Sequence, residues 1–162
     1  MAAGQGKDMT TAAQRLTELG ITLATPPKPV ANYVPWVKSG NLVFVSGQLP
    51  LADGKVTVTG HLGAGVSVDQ GAAAARQAAI NIITQVNDAC GGDLERVVRV
   101  IRLGGFVAAT GDFTQHPQVV NGASDLMVAV FGERGRHARA AVGVPSLPLG
   151  ACVEVDAVVE VR

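Results

Sequence analysis

The residue types best suited to chemistry lie near the end of the chain, in HARAAVGVPSLPLGACVEVDAVVEV, residues 137–161. Arg139 opens a short apolar segment, a Leu-Pro-Leu-Gly turn follows, and Glu154 sits inside the next segment. An arginine grips a carboxylate through two parallel N–H···O bonds. A carboxylate inside an apolar strand needs a partner or a task, because an unpaired buried charge is costly. If Arg139 takes a substrate carboxylate, Glu154 is left free to orient a water. The competing readings are a structural ion pair and a charge standing in water.

Other candidates weigh less. Tyr33, taken alone, reads as packing. Asn121 reads equally as a polar helix cap or as a pocket residue. His61, His116 and His137 are scattered and follow no ligand spacing, so no metal site is expected. Cys90 and Cys152 are too isolated for a disulfide framework or a zinc site. Cys152 falls on the strand face of Glu154, where a small buried filler is favoured over a reactive thiol. The glycines of GAGVSVDQG precede a helix, but no Walker lysine follows and phosphate binding is unsupported. The arginines of ERVVRVIR read as a solvated strand face.

The elements that would position these residues follow from pattern. TTAAQRLTELG is a short helix over residues 10–20: Thr10 or Thr11 caps it, Leu16 and Leu19 give an apolar edge, and Gly20 stops it. Tyr33–Val37, broken by Pro35, reads as an edge strand. Leu42–Ser46 is a second strand, and Asp53-Gly54 marks a hairpin turn. Residues 56–66 are irregular. Ser67 and Gln70 form a capping box for the clearest helix, with Ala75, Ala79, Ile82, Ile83, Val86 and Cys90 as its stripe. RVVRVIRLGGFVA is a strand. Pro117 opens a second long helix with Val120, Ala123, Met127 and Val130 on one side, and Gly132 ends it. In the last strand, alternation sends Val153, Val155, Ala157, Val159 and Val161 one way. Cys152, Glu154, Asp156, Val158 and Glu160 point the other way. The order β-β-(β)-α-β-α-β-β predicts an α+β fold: one mixed sheet with two long helices on one face.

Composition narrows the class. The 162 residues are 48% hydrophobic and 4% aromatic, with zero formal net charge and pI about 6.8. A nucleic-acid binder held by bulk charge would be basic, so nucleic acid is not expected as a partner. No apolar run approaches a bilayer span, and the N-terminus lacks a signal peptide, so a cytoplasmic protein with no membrane partner is expected. Residues 1–9 read as a disordered leader or an appended stretch ahead of a single domain over 10–162.

The segments SGNLVFVSGQLPL and ARAAVGVPSLPLGACVEVDAVVEV, with the Gly-capped helices between them, resemble the RidA (YjgF/YER057c/UK114) family. The likeness spans roughly residues 30–162, about four-fifths of a single-domain chain. GRHARAAVGV and VVNGASDLMVAVFG look like a branch distinct from its archetypal enamine deaminases. The resemblance implies a chorismate-mutase-like fold and a barrel-like homotrimer with three sites between subunits. It implies hydrolysis of enamines and imines such as 2-aminoacrylate to 2-keto acids and ammonia, with no metal or organic cofactor. Arg139 matches the family's substrate-carboxylate arginine and Glu154 its water-activating glutamate. Tyr33 matches the tyrosine of a Gly-Pro-Tyr segment, Ser46 and Gly47 a Ser-Gly-Gln turn, and Asn121 an asparagine at the start of the second long helix. Ala141 replaces a cysteine whose backbone contacts ligand. The pocket rim departs from the pattern at Ala31–Pro35 and Gln115–Gln118, and the N-terminal helix reads as an addition. The partner implied is a small carboxylate-bearing metabolite. Alternative functions are a non-catalytic binder or sensor of such metabolites, and a ribonuclease or translation inhibitor. The last is disfavoured by neutral charge and few aromatics, which leave no basic groove and no stacking platform.

Overall fold

The computed structural model describes residues 10–26 and 32–162. The expected leader over 1–9, and Ala31 of the expected rim, lie outside the described residues. Helix α1, Ala12–Glu18, is capped by Thr11, whose hydroxyl and the Gln14 side chain form a capping box. It is shorter than residues 10–20. Leu16 is buried, but Leu19 is the C-cap and 40% exposed, so the apolar edge is Ala12 and Leu16.

Five strands make the main sheet: β1 Trp36–Ser39, β2 Leu42–Gln48, β7 Val97–Ala108, β8 Ala138–Val144 and β9 Val153–Val161. Between them lie β3 Leu51–Ala52 and β4 Lys55–Val56, paired across the predicted Asp53-Gly54 turn. Beyond Val56 of β4, the irregular stretch over 56–66 contains the short strands β5 His61–Leu62 and β6 Gly65–Val66. The sheet order is β1-β2-β9-β7-β8. All neighbours are antiparallel except β7 and β8. β1 is the predicted edge, but it starts at Trp36, because Pro35 has no N–H to give a ladder. Tyr33 therefore precedes the strand.

Helix α2, Val68–Ala89, carries the predicted capping box at Ser67 and Gln70. Helix α3, His116–Phe131, starts without a side-chain cap and ends at Gly132, where φ is +62°. α2 and α3 lie on one face of the sheet, as the pattern of β9 predicts. Val153, Val155, Ala157, Val159 and Val161 are all fully or nearly fully buried beneath them. The two helices touch closely at Gly122, where any Cβ would overlap the Ala72 carbonyl. Cys90 and Cys152 are buried free thiols. Burial pushes the Cys152 thiol up to about 11, so it is the inert filler that was favoured.

β7 departs from simple alternation. Register shifts at Val97/Arg99 and Val100/Arg102 leave Val97 and Val100 buried and Val98 39% exposed. The arginines of ERVVRVIR, of which Arg96 lies in the 3-10 turn just before β7, are not merely solvated. Arg96 donates to the carbonyls of Arg162 and Cys90, Arg99 donates to that of Arg136, and Arg102 pairs with Asp156 at 3.4 Å. Among the described residues, no helix is long and apolar enough to cross a membrane, and no His/Cys/Asp/Glu group could hold a metal.

Candidate functional site

Arg139 lies in β8 opposite Leu103 of β7, and Leu103 is fully buried. Paired residues share a face, so the Arg139 side chain emerges on the helix side. There its Nη1 donates to Asn121 Oδ1 at 2.8 Å and to Ser124 Oγ at 3.1 Å. A guanidinium has five N–H donors in a rigid plane. Both hydrogens of Nη1 are used in anchoring. No acceptor among the described residues meets Nε or Nη2, and these two donors point along one edge. That edge is the one that can take a carboxylate bidentately.

Asn121 is thus no cap, and it does not start its helix; it stands five residues after the start of α3, with Arg139 as its partner. Ser124 was not singled out from sequence. Its spacing of three from Asn121 was the available signal, because residues i and i+3 share a helix face. Ala141 faces the same way as Arg139, opposite Gly105 and packed against the core.

Glu154 stands on the other side of the sheet. Its register partner is Phe106, which alternates with the core residues Val107 and Gly105. It is partly buried, and no hydrogen-bond or ion-pair partner for its carboxyl exists among the described residues. Burial raises its pKa above the ordinary glutamate value, and the neighbouring Asp156 charge raises it further. The carboxyl lies across β2 at Gly47, where a Cβ would overlap Oε1. Ser46 and Gly47 form no turn: both are in β2, at the register shift between Val45 and Gln48. Ser46 Oγ donates to the Val34 carbonyl at 2.8 Å, tying the segment of Tyr33 to this strand. Tyr33 is 69% exposed, which rules out packing within its own chain.

The predicted site residues therefore fall into two groups. Arg139, Asn121 and Ala141 stand on the helix side at the β8 edge. Glu154 and Gly47 stand on the bare side, and Ser46 ties the neighbouring strand to the segment that carries Tyr33. Within one chain the sheet separates Arg139 from Glu154.

The α+β fold, with its mixed sheet under two long helices and this arginine, belongs to a recognisable class. The family model described as "YjgF/chorismate_mutase-like, putative endoribonuclease" matches residues 13–161, and the chain belongs to that YjgF/RidA family. The match takes in nearly all of α1. The chain is 51% identical to Protein TCP17 of Trypanosoma cruzi, over 93% of this chain and 94% of that one. The crystal structure of protein Atu1372 of Agrobacterium tumefaciens, of unknown function, is 52% identical with a TM-score of 0.88, covering 93% of this chain and 92% of that one. RidA from the Antarctic bacterium Psychrobacter sp. PAMC 21119 is 28% identical with a TM-score of 0.57, covering 85% of this chain and 94% of that one.

Proposed function

We propose that this protein is a homotrimeric hydrolase of small reactive enamines and imines, 2-aminoacrylate-like, yielding 2-keto acids and ammonia. The observation that carries the reading is Glu154. A carboxyl without a protein partner, partly desolvated and with a raised pKa, is the state expected of a proton acceptor working near neutrality. A protein that only bound a carboxylate would need Arg139 but no such group. Two copies are needed to complete the site, because one sheet cannot bring its own Arg139 and Glu154 together. The bare face around Glu154 supports assembly: Val37, Phe44 and Val142 are 52%, 46% and 46% exposed.

In this mechanism the Nε–Nη2 edge of Arg139 binds the substrate carboxylate. Glu154 of the neighbouring copy holds a water against the imine carbon. The enamine first tautomerises in water to the imine, which reacts as the N-protonated iminium. As the water oxygen bonds to that carbon, Glu154 takes a water proton and the C=N electron pair moves to nitrogen, leaving a neutral amine. Glu154 then gives that proton to the nitrogen, the C–N bond breaks with ammonia leaving, and the hydroxyl proton passes back to Glu154 as the carbonyl forms, to be released to water. Orientation contributes several kcal/mol before the acid-base gain.

The test is pyruvate release from 2-aminoacrylate generated in situ, for wild type and Glu154→Gln across pH. Wild type is expected to accelerate release, and the variant to lose about 100-fold while still binding pyruvate. Protonated Glu154 cannot accept from water. The wild-type rate should therefore fall as pH drops through a pKa above the ordinary glutamate value, and the variant should lack that limb. Pyruvate binding without any acceleration by wild type would leave a metabolite binder instead.

A further inference from the structure

Behind the Arg139 clamp runs a chain of hydrogen bonds that leaves the sheet. Ser124 Oγ, which accepts from Arg139 Nη1, stands 2.9 Å from His137 Nε2. His137 Nδ1 stands 2.6 Å from the carbonyl oxygen of Gly135. A carbonyl oxygen only accepts, so Nδ1 carries a hydrogen. In the neutral ring Nε2 is then an acceptor, and the Ser124 hydroxyl donates to it. That orientation turns the lone pairs of Ser124 toward Arg139. Without the ring, a serine inside a helix can turn its hydroxyl to a backbone carbonyl one turn back. Every hydrogen from Gly135 to the guanidinium is thus placed by one fixed acceptor.

We propose that Ser124 and His137 are positioning residues. Ser124 holds Nη1 together with Asn121, and His137 orients the Ser124 hydroxyl, so that the Nε–Nη2 edge of Arg139 is presented ready for a carboxylate. The inference rests on the reading of Arg139 as a carboxylate clamp and adds two residues that do not touch substrate. Asn121 and Ser124 act from one face of α3, while His137 acts from the segment entering β8. The clamp is therefore set by the relative placement of α3 and β8.

Two readouts test it. In ¹⁵N-labelled protein without ligand, the His137 ring should show the neutral Nδ1–H tautomer. The Arg139 Nη1 hydrogens should exchange slowly in wild type and Ser124→Thr, and rapidly in Ser124→Ala. Ser124→Ala and His137→Leu should weaken pyruvate binding about tenfold, while Ser124→Thr and His137→Gln, which keep an oxygen at the needed point, stay within about threefold of wild type. In turnover the loss should appear in KM, with kcat little changed. An Nε2–H tautomer, or Ser124→Ala that binds pyruvate as wild type does, overturns the positioning role alone. Wild type that shows the expected resonances but binds no pyruvate overturns the clamp reading, and this role with it.

Discussion

The two faces of strand β9 are made by one backbone and meet opposite demands. On the helix side, Val153, Val155, Ala157, Val159 and Val161 are each no more than 3% exposed. On the other side, Glu154, Asp156, Val158 and Glu160 all keep partial exposure. The first face supplies burial, at roughly 25 cal/mol per Å² of apolar surface. The second holds a carboxyl at raised pKa and leaves apolar side chains uncovered around it. A side chain on the first face serves stability. One on the second is free to serve chemistry and assembly. Arg139 crosses this division, because β8 is an edge strand and its helix-side face is only partly covered.

The difference between the faces can be broken from either side. Arg139→Ala should have the largest effect, lowering kcat/KM by about 100-fold or more through loss of the held geometry, with thermal stability little changed. Kinetics beside a melting curve check both halves. Gly47→Ala should come next. Its new methyl meets the Glu154 carboxyl, so the loss should be about tenfold in kcat with pyruvate affinity intact. Burst-free steady-state kinetics and calorimetry separate the two. Val159→Ala should be smallest for catalysis and clearest for folding: a cost of about 2 kcal/mol in denaturant unfolding, with kcat/KM unmoved.

Local signals were legible in the sequence wherever neighbours in the chain make the structure. The capping box at Ser67, Thr11 as one of the two caps offered for the first helix, the Asp53-Gly54 turn and the alternation of β9 all form as the sequence reads. Tertiary features were not. The β7 register shifts move Val98 out and Val97 in, and a period-2 pattern cannot contain an extra residue. The placement of β8 parallel to β7, which sends Arg139 to the helix side, depends on strands 30 or so residues apart pairing in register. Ser124 was hidden for the same reason. A serine inside a helix carries no mark of function until the strand beneath it brings an arginine. Pro35 and Tyr33 show a subtler case: the pattern reads Tyr33 as a packed residue of the edge strand, but Pro35 delays that strand to Trp36 and leaves Tyr33 69% exposed ahead of it.

The central claim is that Arg139 and Glu154 act together only across two copies. Mixing inactive subunits tests it most directly. Arg139→Ala and Glu154→Gln chains are unfolded together, refolded at equal concentration and assayed for 2-aminoacrylate hydrolysis. In randomly mixed trimers about one site in four pairs an intact Arg139 with an intact Glu154 from the neighbouring copy, so about a quarter of wild-type activity should return. Mixed protein no more active than either variant alone would contradict a site shared between subunits.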